Sequence, residues 1–386
     1  MAGTGHESEG YNGLTKTEPT LPTHYYLDAD HYEKELRRVW YRNWIYVCRA
    51  DELEGPRAYR VFDIGSQQVL VVRDQEGQIQ AFHNTCRHRG SALIQDEAGR
   101  LPGSMITCPY HCWAYDLKGK LQRLSGSSPP ADFDKGDYSL YDVGIQQWNG
   151  FVFVHLDPEN AEPLEAGFSD AHILDNWHLA DLVVGHSVRK VIECNWKVFW
   201  ENFSECLHCP HVHPELSRTV PLYKQYLMEV RDDPEWEAHQ EAGDPLYKPG
   251  LAEGKESWTT DGLACGAYFP DLGPEEIERG HTYCESLPSA FVVGHVDYAR
   301  AVRILPLGPE RTELQAQWLF RRETLAEPGF DARKVAAFAE RVIAEDGAIA
   351  EINQKGLRSI RHERGALMAE EYAVRDFHAW LNRQLD

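Results

Sequence analysis

Positive charge and long apolar runs are both scarce in this 386-residue chain. Its 39 Lys and Arg residues are outnumbered by 61 Asp and Glu residues, which gives a formal net charge of −22. Such a charge repels phosphate backbones, so nucleic acid is not an expected partner. No stretch reaches the roughly 20 apolar residues of a membrane helix, and the first residues lack a signal-peptide pattern. We therefore expect a cytoplasmic protein that does not contact membranes.

A regular cysteine framework is also missing. The nine cysteines are odd in number and irregularly spaced, which favours thiols or metal ligands over a network of disulfides. Hydrophobic residues make up 42% of the chain and charged residues 26%. This composition excludes a disordered or fibrous protein and is sufficient for two folded domains.

The apolar pattern predicts four segments. Residues 1–22 are polar and predict a flexible N-terminal arm, whereas residues 23–44 carry apolar positions at helical spacing. Short β-type runs fill residues 45–160 and indicate an all-β domain. Residues 161–386 combine helical patterns with strands and indicate an α+β domain. The main strands are predicted at 59–62, 68–73, 79–83, 151–156, 291–296, 301–306 and 312–320, and long helices at 28–44 and 331–357.

An acidic tract lies within the second domain. Residues 229–285 contain 15 acidic and four basic residues. We interpret the tract as a solvated loop, and the alternative is a lid over a pocket.

Two short segments each offer one thiolate and one imidazole. Cys86 and His88 lie in the first, and Cys108 and His111 lie in the second. Zinc fingers usually pair Cys with Cys and His with His, so zinc is the weaker interpretation. Mixed pairs suit a two-iron, two-sulfide cluster in which both thiolates bind one iron and both imidazoles bind the other, as in Rieske centres. The pattern therefore predicts an electron-accepting iron–sulfur site.

A second group of possible ligands follows a helical stretch that ends near Phe203. His208 and His213 are five residues apart in a segment interrupted by two prolines, so both imidazoles can reach one metal. One carboxylate would complete the facial triad of non-haem ferrous oxygenases. Glu345 and Asp346 flank the inward stripe of the long C-terminal helix, and periodicity does not choose between them.

Three sequence runs, FHNTCRHRGSAL, CPYHCWAYDLKGKL and AEDGAIAEINQKGLRS, resemble the oxygenase (α) subunits of Rieske non-haem iron oxygenases. The resemblance extends from about residue 25 to near the C-terminus. It implies an all-β Rieske domain and a helix-grip-like α+β catalytic domain with an antiparallel sheet, to which the helical lead-in would belong. It also implies that Asp346, rather than Glu345, binds the mononuclear iron with His208 and His213.

The same resemblance implies an electron-transfer bridge. Glu205 lies one helical turn before His208, so its carboxylate can accept the other ring hydrogen of that imidazole. In the family, an acid at this place reaches a cluster histidine of the neighbouring subunit, which matches His111. Ring-dihydroxylating relatives typically have Asp here, and Glu is found in relatives acting on quaternary ammonium compounds. Asn202 is assigned to the catalytic set with Glu205.

The resemblance is greatest to oxygenases of betaines and related methylammonium compounds. It implies a homotrimer that uses O2 and electrons from NAD(P)H to hydroxylate and N-demethylate such a substrate. Because the chain shows no convincing Gly-rich nucleotide fingerprint, the electrons must arrive through a separate flavin/iron–sulfur reductase. Aromatic faces can hold such cations, and the candidate wall residues are Tyr268, Phe269, Phe291 and Tyr298.

Two alternatives remain open from the sequence. An aromatic-ring-hydroxylating dioxygenase would use the same metals on a flat substrate. A Rieske electron carrier without oxygen chemistry would lack the mononuclear iron, and the His208, His213 and Asp346 set argues against it.

Overall fold

The computed structural model describes residues 10–126 and 128–386. The chain divides into two compact units. The catalytic unit comprises the described residues up to Val39 together with Phe168–Asp386, and the β unit comprises Trp40–Gly167. The apolar pattern of the sequence predicts the corresponding boundaries at residues 44 and 160. Among the described residues, no helix has the length and apolar character needed to cross a membrane.

Strands occur in both units. In chain order they are β1 Glu18–Pro19, β2 Ile45–Arg49, β3 Ala58–Ile64, β4 Gln67–Arg73, β5 Ile79–His83, β6 Ala98–Arg100, β7 Met105–Thr107, β8 Trp113–Asp116, β9 Leu121–Leu124, β10 Gly144–Trp148, β11 Phe151–His155, β12 Val183–Ile192, β13 His281–Ser286, β14 Ala290–His295, β15 Ala299–Gly308, β16 Arg311–Phe320 and β17 Ala366–Leu367.

The α-helices are fewer and belong to the catalytic unit. They are α1 His24–Leu27, α2 Ala29–Glu35, α3 Trp196–Phe203, α4 Cys209–Val212, α5 Leu216–Thr219, α6 Pro221–Lys224, α7 Trp236–Ala242, α8 Pro274–Arg279, α9 Arg322–Ala326, α10 Ala332–Leu357 and α11 Tyr372–Leu385. A π-helical turn, Leu36–Trp40, continues α2.

The β unit is built from three small antiparallel sheets. Their strand orders are β5-β4-β3-β6, β7-β8-β9 and β10-β11-β2. Strand β11 is buried throughout, and so are the four central aliphatic residues of β4, because apolar side chains occupy both faces of the chain there. This arrangement confirms the predicted all-β domain and its strands near residues 59, 68, 79 and 151.

The catalytic unit is organised around one five-stranded antiparallel sheet with the order β12-β16-β15-β14-β13. The long helix α10 packs on β12 and α3. Its N-terminus is capped by Asp331, whose carboxylate accepts a hydrogen bond from the backbone N–H of Arg333 at 3.1 Å. The α+β class and the helix predicted at residues 331–357 are therefore confirmed, and the predicted strands at 301–306 and 312–320 form an antiparallel hairpin as β15 and β16.

The prediction of a flexible arm is wrong for residues 10–22, while residues 1–9 lie outside the described part of the chain. Strand β1 pairs with β17, and Leu21 is buried. Asn12 donates a side-chain hydrogen bond to Asp232 at 2.9 Å. The segment has few apolar residues, but its backbone and polar groups find partners far along the chain, which local composition does not reveal.

A buried ion pair joins the lead-in helix α2 to helix α3. The Lys197 Nζ atom lies 2.6 Å from Glu35 Oε1, and both side chains are inaccessible to solvent. The indole N–H of Trp196 donates to the other oxygen of Glu35 at 2.8 Å. Burial alone raises the pKa of Glu35, but the Lys197 charge and the hydrogen bonds outweigh it and leave that pKa below its ordinary value.

Candidate metal centres and substrate cavity

The two cysteine–histidine loops of the β unit have matching backbones. The N–H of Gly90 donates to the carbonyl of Cys86 at 2.9 Å, and the N–H of Cys112 donates to the carbonyl of Cys108 at 3.0 Å. The donor residue in each loop has a positive φ, 74° at Gly90 and 55° at Cys112. Each loop therefore makes one tight turn that reverses the direction of the chain, with its cysteine and its histidine within that turn.

The four predicted cluster ligands come together in thiol and imidazole pairs. Cys86 and Cys108 are buried beside each other, whereas His88 is exposed and its ring centroid lies 4.7 Å from that of His111. Burial raises the pKa of the Cys86 thiol. A buried sulfur pair with an imidazole pair towards solvent fits a cluster bound by two thiolates on one iron and two imidazoles on the other.

A tyrosine hydroxyl contacts one of these sulfurs. The Tyr115 hydroxyl lies 3.3 Å from Cys86 Sγ and accepts a hydrogen bond from the backbone N–H of Arg87 at 3.1 Å. Because its oxygen is engaged by that N–H, the hydroxyl hydrogen is available for the sulfur.

The catalytic unit brings His208, His213 and Asp346 to one point. Their ligand atoms all lie within 4.8 Å of one another. Asp346 Oδ1 is 2.8 Å from His213 Nε2 and 3.4 Å from His208 Nε2. His208 and His213 flank the single turn α4, and the middle of α10 supplies Asp346. Two imidazole nitrogens and one carboxylate oxygen are the donor set of the non-haem iron facial triad.

Two further carboxylates contact the triad histidines, one at the Nδ1 atom of each ring. Glu205 Oε1 lies 2.6 Å from His208 Nδ1, and Glu345 Oε2 lies 2.7 Å from His213 Nδ1. Metal-binding histidines commonly donate their second ring N–H to such a carboxylate. Glu345 thus contacts a triad histidine and lies outside the triad, in agreement with the predicted choice of Asp346. The Asn202 amide nitrogen lies 3.3 Å from His208 Nε2.

The electrostatics of the triad favour a bound cation. Burial lowers the pKa of His208, but hydrogen bonds to Asp346 and Glu205 outweigh it and raise that pKa to about 9. The pKa of His213 is also raised, for the same reason, and its partner is again Asp346. In the opposite direction, the two histidines lower the pKa of Asp346 against the effect of burial. The residues present therefore fit a divalent metal.

A cavity opens beside the triad within the catalytic unit. It is lined by His208, His213 and Asp346, by aliphatic residues of α10 and the sheet, and by five aromatic rings. The aromatic lining residues are Phe199, Phe203, Tyr223, Trp258 and Phe291.

Trp258 belongs to the acidic tract at residues 229–285. The tract contains α7 and α8 and several buried apolar residues, so it is packed structure rather than only a solvated loop. Whether the tract moves as a lid stays a prediction.

The predicted aromatic wall is wrong at three of its four positions. Phe291 lines the cavity, but Tyr268, Phe269 and Tyr298 do not. Tyr298 lies in the turn between β14 and β15, where its hydroxyl donates to the carbonyl of Trp258 at 2.9 Å. Phe269 is buried with the Arg321 guanidinium 5.4 Å from its ring centroid. Tyr298 and Phe269 therefore pack outside the cavity, and Tyr268 is only half-buried.

Sequence reasoning missed one charged residue of the cavity. Arg300 lines it together with Val302, two residues further along β15. Strand residues two apart face the same side of a sheet. An arginine in the inward register of a strand that is otherwise largely apolar is the signal that would have indicated it.

One cysteine pair departs from the expected thiols. Cys206 and Cys209 form a disulfide around the turn that precedes α4, with their Cα atoms 5.0 Å apart. Among the described residues, the other seven cysteines form no disulfide.

Comparison with known proteins gives a consistent picture. Residues 179–386 match the family described as ring hydroxylating alpha subunit (catalytic domain), and residues 43–134 match the Rieske [2Fe-2S] domain. The glycine betaine monooxygenase oxygenase subunit of Chromohalobacter salexigens is 30% identical over 94% of this chain and 84% of its own length. The chloroplastic choline monooxygenase of Spinacia oleracea is 26% identical over 95% of this chain and 78% of its own length.

A solved structure shows the same fold. The quaternary ammonium Rieske monooxygenase CntA superimposes with a TM-score of 0.74 and 20% identity, over 99% of this chain and 100% of that chain. The matched catalytic family covers more than half of the chain. The chain therefore belongs to the ring-hydroxylating oxygenase alpha subunits, oxidoreductases that carry a Rieske [2Fe–2S] cluster and a mononuclear iron.

Proposed function

We propose that this chain is the oxygenase component that hydroxylates an N-methyl group of a quaternary ammonium compound and thereby removes it. The observation that carries the proposal is the aromatic-lined cavity that opens directly onto His208, His213 and Asp346. The relatives that support it are named for glycine betaine and choline.

The cavity residues explain how such a substrate would be held. Phe203 and Phe291 stack with their centroids 4.0 Å apart, and Phe199 stacks on Phe291 at 6.4 Å. These rings form an apolar wall. A methylated cation is weakly hydrated, so moving it from water to this wall has a small desolvation cost. Each aromatic face that meets the cation contributes about 0.5–2 kcal/mol.

Seven side chains would bind the two metal centres. Cys86, His88, Cys108 and His111 would hold the cluster, and His208, His213 and Asp346 would hold the iron. When bound, the two centres supply electrons and a site for activating dioxygen. Glu205 would accept the Nδ1 hydrogen of His208 and so present Nε2, which faces Asp346, as the ligand atom.

Electron supply needs a partner. We infer a separate flavin/iron–sulfur reductase that draws on NAD(P)H, and a homotrimer in which Glu205 links His208 to His111 of a neighbouring copy. The proximity of the Glu205 carboxylate to His208, 2.6 Å, supports this role.

The overall reaction balances with these components. One oxygen atom enters a C–H bond of the N-methyl group, and the other leaves as water after taking two electrons and two protons. The hydroxymethyl product then loses formaldehyde, which leaves a tertiary amine and a proton. Formaldehyde is therefore the diagnostic product.

Turnover of a substrate panel tests the proposal. The holoenzyme is supplied with a reductase, NADH, O2 and either betaines, choline or aromatic acids, and formaldehyde and ring-oxidised products are scored. We expect formaldehyde, in a ratio of about one per oxidised substrate, from at least one quaternary ammonium compound. A cis-diol or phenol from an aromatic compound, without formaldehyde from any amine, would instead support a ring-hydroxylating dioxygenase.

Removal of one triad ligand separates an oxygenase from an electron carrier. His208→Ala is expected to lose the mononuclear iron and turnover, while the Rieske electron paramagnetic resonance signal persists. Wild-type protein should hold three irons per chain and the variant about two. Two irons in wild-type protein, or undiminished turnover of His208→Ala, would contradict the assignment of the triad.

A further inference from the structure

Arg300 occupies the cavity side of the catalytic sheet. It lies on β15, where it is paired with Val293 of β14 and Trp318 of β16. The residue is 6% exposed, yet it lines the same cavity as the triad. A charged side chain has thus been placed in an otherwise mostly apolar enclosure.

Among the described residues, Arg300 has no hydrogen-bond or ion-pair partner. Its Nε atom is buried without an acceptor, and its guanidinium carbon lies 5.8 Å from the centroid of the Trp258 ring. The indole N–H of Trp258 also lacks an acceptor. Arg303, three residues further along the strand, is as deeply buried but has Glu313 at 2.8 Å. The contrast shows that the other buried arginine of this strand has a carboxylate partner within the protein, whereas Arg300 does not.

An unpaired buried guanidinium is costly. A buried cation normally has a carboxylate partner, because the protein interior replaces the water that would solvate it. Burial lowers the pKa of Arg300, and the charge of Asp346, which also lines the cavity, only partly offsets this effect. The Asp346 oxygen lies against both triad histidines and not within ion-pair distance of Arg300. Glu205 is likewise engaged by His208.

The histidines and the tyrosine next to Trp258 supply no anion for Arg300. His281 and His295 surround Trp258, with ring centroids 5.0 and 5.5 Å from it. Burial lowers the pKa of His281 to about 4 and that of His295 well below its ordinary value, so both rings are neutral. Tyr223 adds a hydroxyl 3.4 Å from His281 Nε2. This side of the cavity therefore holds one guanidinium and two buried N–H donors without an acceptor, at Arg300 Nε and Trp258 Nε1.

We propose that Arg300 is the specificity-determining residue that binds a carboxylate of the substrate. Combined with the proposed N-demethylation, on which this inference rests, the substrate class is a zwitterion with a quaternary ammonium group at one end and a carboxylate at the other. The guanidinium pairs with the carboxylate through charge-assisted hydrogen bonds. The uncharged rings of Phe199, Phe203 and Phe291 are left for the methylammonium end. A choline-like alcohol lacks the anionic group and would leave Arg300 unpaired.

Equilibrium binding to the anaerobic oxidised holoenzyme tests this role. Dissociation constants are measured by calorimetry for glycine betaine and its amide, which keeps the quaternary ammonium charge but lacks the carboxylate, and for benzoate and the neutral benzamide. We expect wild-type protein to bind an acid at least ~10-fold more tightly than its amide. Arg300→Gln should weaken binding of that acid by about 30-fold or more and leave the amide within a few-fold. Arg300→Lys should keep part of the preference.

The controls separate this proposal from the proposed function. Arg311→Gln changes an exposed arginine at the start of β16, paired with Glu193 at 3.2 Å, and should leave every constant unchanged. Equal binding of acids and amides by wild-type protein, or an unaltered acid preference in Arg300→Gln, would overturn the role of Arg300. Absence of formaldehyde from every quaternary ammonium compound would overturn the demethylation, while the benzoate pair would still test Arg300. If Arg300→Gln fails to fold, the comparison of acids with their amides in wild-type protein tests the proposal by itself.

Discussion

At the scale of single residues, the two triad histidines are held by different carboxylates. Glu205 contacts His208 and Glu345 contacts His213, each through the ring nitrogen that does not face Asp346. Carboxylates in this position orient the imidazole and increase its basicity. Only Glu205 is also proposed to contact a neighbouring subunit, so the two acids should be separable by experiment.

We predict that Glu205→Gln and Glu345→Gln both weaken iron binding by about 10–100-fold, because each loses the charge that supports its histidine. After saturation with iron, Glu345→Gln should deliver electrons at nearly the wild-type rate, whereas Glu205→Gln should remain slow. Single-turnover kinetics of the reduced protein mixed with O2 and substrate provide the measurement. Equal rates in the two iron-loaded variants would argue against a bridging role for Glu205.

A second residue-scale prediction concerns the hydroxyl beside the cluster. Tyr115→Phe removes the hydrogen bond to Cys86. Such a bond stabilises the more negative, reduced cluster, so the variant should have a reduction potential lower by about 20–60 mV. A spectroscopic redox titration measures the shift. Tyr138→Phe is the control, because Tyr138 stacks on Phe133 at 4.5 Å in the same unit. An unchanged potential in Tyr115→Phe would refute the effect.

At the scale of elements, helix α3 matters because it carries residues of the cavity and is fixed from behind. Its cavity side includes Phe199 and Phe203, and its opposite contacts include the buried pair of Lys197 with Glu35 on α2. The lead-in helix is thus part of the support of the catalytic site, although it precedes the whole β unit in the sequence.

We predict that Lys197→Met lowers the free energy of unfolding by about 3–5 kcal/mol, because it removes the lysine counter-charge of the buried Glu35 carboxylate and leaves His31 Nε2, at 3.1 Å, as its ionisable partner. Combining it with Glu35→Gln should recover much of this loss, since the amide oxygen still accepts from Trp196. Denaturant unfolding of both variants followed by circular dichroism measures the difference. A double variant less stable than Lys197→Met would contradict the prediction.

At the scale of the whole molecule, the proposed trimer makes a complementation experiment possible. Cys86→Ser should lack the cluster and His208→Ala the mononuclear iron, so each homotrimer should be inactive. In mixed trimers, an intact cluster of one subunit would lie next to an intact iron site of another. We expect co-expressed, doubly tagged mixed trimers to regain about one third of wild-type activity, as a cyclic arrangement allows one intact pair per trimer. Inactive mixed trimers would show that the centres work within one subunit.

The local chemistry of this protein was readable from the sequence. Cys86 and His88 are two residues apart, and His208 and His213 five apart, so short turns alone bring each pair together. The strands and long helices were predictable because their apolar periods are regular over many residues. The choice of Asp346 over Glu345 needed family resemblance, since both acids lie at the edge of the same helix face.

Only the tertiary structure decided what surrounds these motifs. Arg300, Trp258 and Glu345 reach the site from the sheet, the acidic tract and the long helix, and no local pattern relates them. Tyr298 and Phe291 were both predicted as wall residues, yet Tyr298 lies in the turn between β14 and β15 and bonds to the backbone of Trp258, whereas Phe291 on β14 lines the cavity. Ligand spacing is a short-range property of the chain, whereas the walls and charge of a cavity depend on long-range packing.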